Sequence, residues 1–217
     1  MALRAVVCDF GGVLTTPLHL SFKAVEEQTG ISLEPIGRAM QSAADERGEI
    51  PLFELEKGRV SEREFLDVLG EHLEPEIGHR PTFEGFREIY FGALDPNAPM
   101  IGLMRSIRDQ GYRTALLTNN VREWSPLWRA MLPVDEIFEV VVDSADVGMR
   151  KPEREIYELT VERLGGVAAT ECLFVDDTEH NCDMAREVGM TAVHFLDNDQ
   201  AIAEINATLD GSTPTGA

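Results

Sequence analysis

Short runs of β-branched and aliphatic residues recur along the chain at 4–8, 112–117, 139–142, 172–175 and 191–195, and each ends in a polar or glycine-rich turn. Apolar runs without polar alternation read as strands buried on both faces, so these five predict a parallel sheet. Between them the apolar spacing becomes helical, over about 98–110 closed by Gly111, 153–164 closed by Gly165 and Gly166, and 181–188 closed by Gly189. Pro152 is expected at the first position of the second of these helices. Strand and helix alternating in this way describe an α/β doubly wound parallel sheet, a fold whose ligands sit at the carboxyl ends of the strands.

One long interval, 18–94, interrupts the alternation with helical patterns and scarcely a strand candidate. Ser61 and Glu64 match a capping box leading into Phe65, Leu66, Val68 and Leu69, and 83–91 repeats the spacing of a short helix. The expected division is an α/β core of 1–17 and 95–210, a small helical unit of 18–94 inserted after the first strand, and a flexible polar tail of 211–217.

The chain has 217 residues, 43% hydrophobic and 27% charged, enough for one sizeable core with a small accessory unit. Its formal charge of −20 repels phosphate backbones and anionic lipid, so neither nucleic acid nor a membrane is expected as partner. Three cysteines, Cys8, Cys172 and Cys182, lack the number and spacing of a disulfide framework or zinc knuckle. The apolar run before Asp9 is too short for a signal peptide, and no window reaches the length of a membrane span. A soluble cytoplasmic protein, monomer or homodimer, is expected.

Four segments place polar groups where the predicted strands end. The first strand runs into Asp9-Phe10-Gly11-Gly12, a carboxylate on a turn whose glycines let backbone N–H groups approach a ligand, or else an Asx-turn before a bend. The second ends in Thr118-Asn119-Asn120, suited to hydrogen-bonding phosphate oxygens or to capping a helix. Lys151 is one of three lysines beside sixteen arginines, either a compact charge for a carboxylate and a phosphate or an ordinary surface lysine. The fourth strand ends in Asp176-Asp177, with Asn181 four residues after Asp177. If Asp9 comes alongside this pair, three carboxylates share one pocket, and each like-charge pair costs on the order of 4 kcal/mol at about 4 Å and an effective dielectric near 20. An all-oxygen set then calls for a hard divalent cation, Mg²⁺ where phosphate is handled.

These four segments, in this order, resemble the haloacid dehalogenase-like (HAD) hydrolase superfamily, most of whose members are Mg²⁺-dependent phosphatases with a Rossmann-like core. Asp9-Phe10-Gly11-Gly12-Val13 and Glu46-Arg47-Gly48-Glu49 are similar to the subgroup of bacterial glucose-1-phosphate phosphatase and the N-terminal phosphatase domain of soluble epoxide hydrolase. The resemblance implies that 18–94 is an α-helical cap and that Asp9 is the nucleophile forming an aspartyl-phosphate. It makes Thr118, Asn119, Lys151 and Gly12 phosphate-binding, with Lys151 and Thr118 also catalytic. The metal ligands would be Asp9, the Gly11 carbonyl, Asp177 and Asp176, with Asn181 in support, and the substrate a small phosphorylated metabolite.

Gly11 departs from the family pattern, which has a second aspartate two residues after the nucleophile. Missing with it is a general acid, a contribution of typically ~10²–10⁴-fold. Glu46, His19 or an ordered water replaces it, or the leaving group needs little protonation, or catalysis is residual. Two alternatives to the phosphatase therefore stand: a metal-independent dehalogenase-type hydrolase, and a non-catalytic member binding a phosphorylated ligand or a protein. His180 is read as a solvated side chain, Asn206-Ala207-Thr208 as a chance match to a glycosylation site, and Trp124 and Trp128 as packing residues or contacts to the cap.

Overall fold

A computed structural model describes residues 2–211. Its order is β1 (Ala5–Cys8), then helices α1 (Leu18–Thr29), α2 (Leu33–Arg47), α3 (Pro51–Glu56), α4 (Glu62–Ile77) and α5 (Phe86–Gly92), then α6 (Ala98–Asp109) and β2 (Arg113–Thr118). There follow α7 (Ser125–Met131), α8 (Val134–Ile137), β3 (Val140–Asp143), α9 (Ser144–Val147), α10 (Arg154–Leu164), β4 (Cys172–Asp176), α11 (Glu179–Glu187), β5 (Thr191–His194) and α12 (Asn198–Leu209). The strands form a five-stranded parallel sheet in the order β3-β2-β1-β4-β5. Three of the five predicted strands differ from the observed ones by a single residue at one end and the other two by one at each end, and the doubly wound α/β fold is as expected.

Successive strand residues face opposite sides of the sheet. Val6, Cys8, Leu116, Leu173 and Val175 pack with Met100 and Met104 of α6, Trp128 of α7 and Ile205 of α12. Val7, Ala115, Leu117 and Phe174 pack with Ile156 and Tyr157 of α10 and Cys182 of α11. Burial on both faces explains why the strands read as unbroken apolar runs, and each fully buried large side chain stabilises by roughly 1.5–3 kcal/mol. The chain winds outward from β1 to β2 and β3, then crosses to β4 on the other side of β1. The carboxyl end of β1 is therefore where connections diverge in both directions, leaving a crevice.

The insertion leaves and rejoins the core at one place. Thr15 and Pro96 form an antiparallel bridge, Thr16 N–H donates to the Asp95 carbonyl at 2.8 Å, and Asn97 N–H donates to the Leu14 carbonyl at 2.8 Å. Inside it, α2 and α4 pair around Ala39, Phe65, Leu69 and Leu73, while α1 and α5 enclose Val25 and Tyr90. The capping box on α4 is present: Ser61 Oγ accepts from Glu64 N–H at 3.3 Å and Glu64 Oε2 accepts from Ser61 N–H at 2.8 Å. Trp124 and Trp128 divide their work. Trp124 packs on Phe86, Tyr90 and Phe91 of the insertion, and Trp128 lies beneath Phe10 with ring centroids 5.3 Å apart.

Several sequence expectations need correction. Pro152 does not open a helix; it lies in a turn tied by Glu153 N–H to the Arg150 carbonyl (2.7 Å) and by Arg150 N–H to Glu153 Oε2 (3.1 Å), and α10 starts at Arg154. The short helix expected over 83–91 starts at Phe86, because Gly85 at its N-cap adopts a left-handed conformation with φ 73°. The helix expected at 181–188 begins at Glu179, so Asn181 sits in its first turn. Helix α12, capped by Asp197 accepting from Gln200 N–H, was not anticipated. The tail expected at 211–217 lies, apart from Gly211, outside the described residues. Cys8, Cys172 and Cys182 are free and buried, and no helix among the described residues is long and apolar enough to cross a membrane.

Candidate active site

The ends of three adjacent strands bring the predicted residues together. Asp9 follows β1 directly, its N–H held by the Val175 carbonyl of β4 at 2.9 Å, so its side chain emerges beside Asp176. Lys151 is 1% exposed, and its Nζ donates to Asp9 Oδ1 at 2.7 Å and to Asp176 Oδ2 at 2.6 Å. The alternative of a surface lysine is thereby removed.

Lys151 is held in place by its backbone. Asn119, just past β2, accepts from Lys151 N–H through Oδ1 at 2.8 Å and donates from Nδ2 to the Lys151 carbonyl at 3.0 Å. Through these two bonds the Asn119 side chain positions the lysine, and one Nδ2 hydrogen is left over. Thr118 is buried at the end of β2 and has only a long 3.5 Å contact from Oγ1 to the Asn119 carbonyl, leaving its hydroxyl available.

Asp176 is fully buried and well partnered. Oδ1 accepts from Thr178 N–H and from Asn181 Nδ2, each at 2.9 Å, and Oδ2 accepts from Lys151. Asn181 therefore holds Asp176 in place. Asp177 turns toward Gly12, and a Cβ at that glycine, whose φ is 78°, would overlap Asp177 Oδ2. Only glycine permits this approach. The Gly12 N–H, expected to contact phosphate, is instead spent within the turn, donating to Thr15 Oγ1 at 3.0 Å. Gly11 lies under Leu18 of α1, where a Cβ would stand 3.1 Å from Leu18 Cδ1.

Oxygens of Asp9, Asp176 and Asp177 lie within 4.8 Å of one another. At that spacing each pair repels by roughly 3 kcal/mol at an effective dielectric near 20. Burial raises the Asp9 carboxyl, Lys151 works against the rise, and the charges of Asp176 and Asp177 add to it. Burial and then Asp176 push Asp177 the same way. Burial disfavours the Lys151 charge, yet the two carboxylates outweigh it and hold the ammonium above its ordinary range. Three acids with one ammonium are short of positive charge. The cluster could hold a hard divalent cation, and its all-oxygen donor set is of the kind that suits Mg²⁺.

Neither side chain named as a replacement for the missing general acid lines the cavity over the strand ends. His19 is exposed on α1, and Glu46 lies at the surface of the insertion, 3.6 Å from His72. Missed in the sequence is a clasp between the insertion and the Lys151 loop. Arg150 Nε donates to Glu56 Oε2 at 2.6 Å with its guanidinium 3.8 Å over the Phe53 ring, and Lys57 Nζ bonds Glu153 at 2.7 Å and Glu49 at 3.0 Å. The scarcity of lysine was a signal for Lys57 as much as for Lys151. A cavity of about 380 Å³ lies between insertion and core, with Phe10, Gly11, Thr118 and Asn119 at its inner end.

The chain is 26% identical to bifunctional epoxide hydrolase 2 of Rattus norvegicus over 99% of its own length, but spans only 40% of that protein. It is 28% identical to a sesquiterpene phosphatase of Aspergillus oryzae, over 90% of this chain and 91% of that one. It is 30% identical to a phosphatase of Mycobacterium tuberculosis, over 99% of this chain and 100% of that one. Among solved structures, a haloacid dehalogenase family enzyme of Bacteroides thetaiotaomicron, in complex with magnesium and inorganic phosphate, matches with a TM-score of 0.65 and 23% identity over 89% of this chain and 94% of that one. A family pattern described as haloacid dehalogenase-like hydrolase matches residues 3–189, a span that holds β1 through α11 and every residue gathered around Lys151, and by that match the chain belongs to the haloacid dehalogenase-like hydrolases.

Proposed function

We propose that this hydrolase is a Mg²⁺-dependent phosphomonoesterase that works through an aspartyl-phosphate. The observation that carries the reading is the Asp9 carboxylate at the tip of β1, paired at 2.7 Å with a buried lysine and flanked by two further carboxylates. Asp9, Asp177 and the Gly11 carbonyl would hold the ion, with Asp176 and Asn181 behind them; bound there, it neutralises the cluster and the phosphoryl oxygens.

Asp9 attacks phosphorus through the carboxylate oxygen that Lys151 does not hold. The ester P–O bond breaks, and water gives the departing oxygen its proton because Gly11 has no side chain to do so. The hydroxide left behind attacks phosphorus, the bond from phosphorus to Asp9 breaks, and inorganic phosphate and free Asp9 result with one water consumed. Lys151 and the Thr118 hydroxyl bind the phosphoryl oxygens. Helices α1 to α5 act as a cap that excludes water and selects the substrate. Relatives named as phosphatases support the choice over dehalogenation, in which Asp177 has no task. Buried free thiols suit a reducing cytoplasm.

The test is turnover of p-nitrophenyl phosphate with Mg²⁺, before and after chelation, in the wild type and in Asp9→Asn, with the acid-quenched protein weighed for a covalent phosphate. Activity lost on chelation and in the variant, with an adduct only in the wild type, is expected. Turnover that survives thorough metal removal or the loss of Asp9 overturns the mechanism.

A further inference from the structure

The cavity that begins at Gly11 and Thr118, next to the acidic cluster in the chain, says more about the substrate than its phosphate. Its volume, about 380 Å³, lies in the range of small-molecule sites, roughly 300–1,000 Å³. Its wall is hydrocarbon, typified by Phe22, Ile36, Leu55, Leu69 and Phe86. Among the described residues that line it, Glu56 alone carries a charge, and the 2.6 Å bond to Arg150 commits it.

Most polar side chains of the wall already have a partner within the protein; the hydroxyls of Tyr90 and Thr118 and the Asn120 Nδ2 amide are the exceptions. Asn119 bonds the Lys151 backbone through both Oδ1 and Nδ2, Asn120 Oδ1 accepts from Val121 N–H at 2.9 Å, Trp124 Nε1 donates to Glu62 at 2.7 Å, and Thr29 Oγ1 donates to the Val25 carbonyl at 2.7 Å. A polyhydroxylated leaving group would bury hydroxyls against carbon and find few partners, an arrangement that polar groups resist. The position beside the nucleophile follows the same logic, since Gly11 is roofed by Leu18 and the first carbons of the alcohol meet methyl groups there. At the other end, Leu33, 49% exposed, and Gly37 also line the cavity, so it reaches the surface between α1 and α2.

Resting on the phosphatase reading, we propose that the substrates are monophosphate esters of apolar alcohols, whose hydrocarbon tail runs from Asp9 through this cavity toward the opening at Leu33 and Gly37. Affinity then comes from burying the tail, and selection from the scarcity of partners for hydroxyl groups.

The experiment is a chain-length profile with the full chain and Mg²⁺: kcat/KM for ethyl, hexyl and decyl phosphate, with glycerol phosphate as the polar comparator and acetyl phosphate as a substrate that barely enters the cavity. Burial of a methylene predicts a rise of roughly two- to fourfold per added carbon until the cavity is full. Gly37→Phe places a ring at the outer end, where a Cβ meets nothing within 4 Å, and should lower decyl phosphate at least tenfold while shifting the optimum to shorter chains. Quenching of Trp124 by decylphosphonate gives a binding readout that needs no turnover. Acetyl phosphate hydrolysed with a flat or falling profile, glycerol phosphate preferred over hexyl phosphate, or a profile unchanged in Gly37→Phe overturns the assignment and leaves the phosphatase standing. No turnover of any ester, acetyl phosphate included, overturns both.

Discussion

The sheet edge and the helical insertion meet at one cavity but are built on opposite terms. At the sheet edge nearly every polar atom has a partner at hydrogen-bond distance: Lys151 with two carboxylates, Asp176 with three donors, Asn119 with both sides of one backbone position. In the insertion the surfaces facing that edge are carbon, and its polar ties to the Lys151 loop run through the side clasp of Glu56, Lys57, Arg150 and Glu153. The difference separates two tasks. Bond-making needs groups held within a few tenths of an ångström, which directional bonds on a rigid sheet supply, whereas recognition of a tail needs shape and dryness.

Lys151→Met tests the first half of that contrast most severely. It leaves Asp9 and Asp176 buried without their cation, and breaking a buried pair costs about 3–5 kcal/mol, so chemical denaturation should show a loss of that size together with lost turnover. A variant as stable as the wild type would show the carboxylates do not depend on the lysine.

Asp143 is a useful contrast, a buried carboxylate at the end of β3 with no lysine beside it. Burial pushes its carboxyl up to about 6, opposed by the Ala145 N–H that it accepts. Between its ordinary value near 4 and that raised value the native state keeps a proton the unfolded chain gives up, so stability falls as pH rises through this window. Asp143→Asn keeps the cap acceptor without the titration. From pH 4 to 7 the stability difference between variant and wild type should move in the variant's favour by on the order of 3 kcal/mol, read from denaturation curves. A constant difference would show that Asp143 titrates alike in both states.

Gly12→Ala puts a methyl where Asp177 stands and a side chain at φ 78°. A destabilisation of about 1–2 kcal/mol and at least tenfold weaker Mg²⁺ activation are expected. Wild-type Mg²⁺ dependence would separate Asp177 from the metal. The smallest effect belongs to the clasp: Glu56→Gln, which removes the charge but keeps an acceptor for Arg150 at a position 15% exposed, should cost about 1 kcal/mol and raise KM more than it lowers kcat. An equal fall in kcat would place the clasp in the chemistry.

The same contrast governs what the sequence made legible. The strands showed as apolar runs because both faces are buried, and the charged residues closing them marked the site, as Asp9 and Asp176-Asp177 do. Partnership was not legible. Nothing local tells whether Asn119 serves phosphate or a backbone 32 residues later, or whether the Gly12 N–H is free, since three-dimensional proximity decides both. The Glu56–Arg150 bond joins positions 94 apart. Within the insertion the helical interval was clear and its divisions were not, because breaks such as Gly85 depend on where the chain must turn to pack. Helix α12 escaped notice for a similar reason: only Ala201 and Ile205 of it are buried, too sparse a stripe to read as a period.

The bridge of Thr15 with Pro96 changes how the chain counts its own length. With entry and exit of the insertion fastened side by side, the sheet experiences residues 17–95 as a turn between β1 and α6. Loop-closure entropy grows only with the logarithm of the intervening length, so the core barely registers how many helices hang from this stem. Lineages can therefore lengthen, shorten or exchange the selecting half of such a molecule while the reacting half goes on folding around the same strand ends.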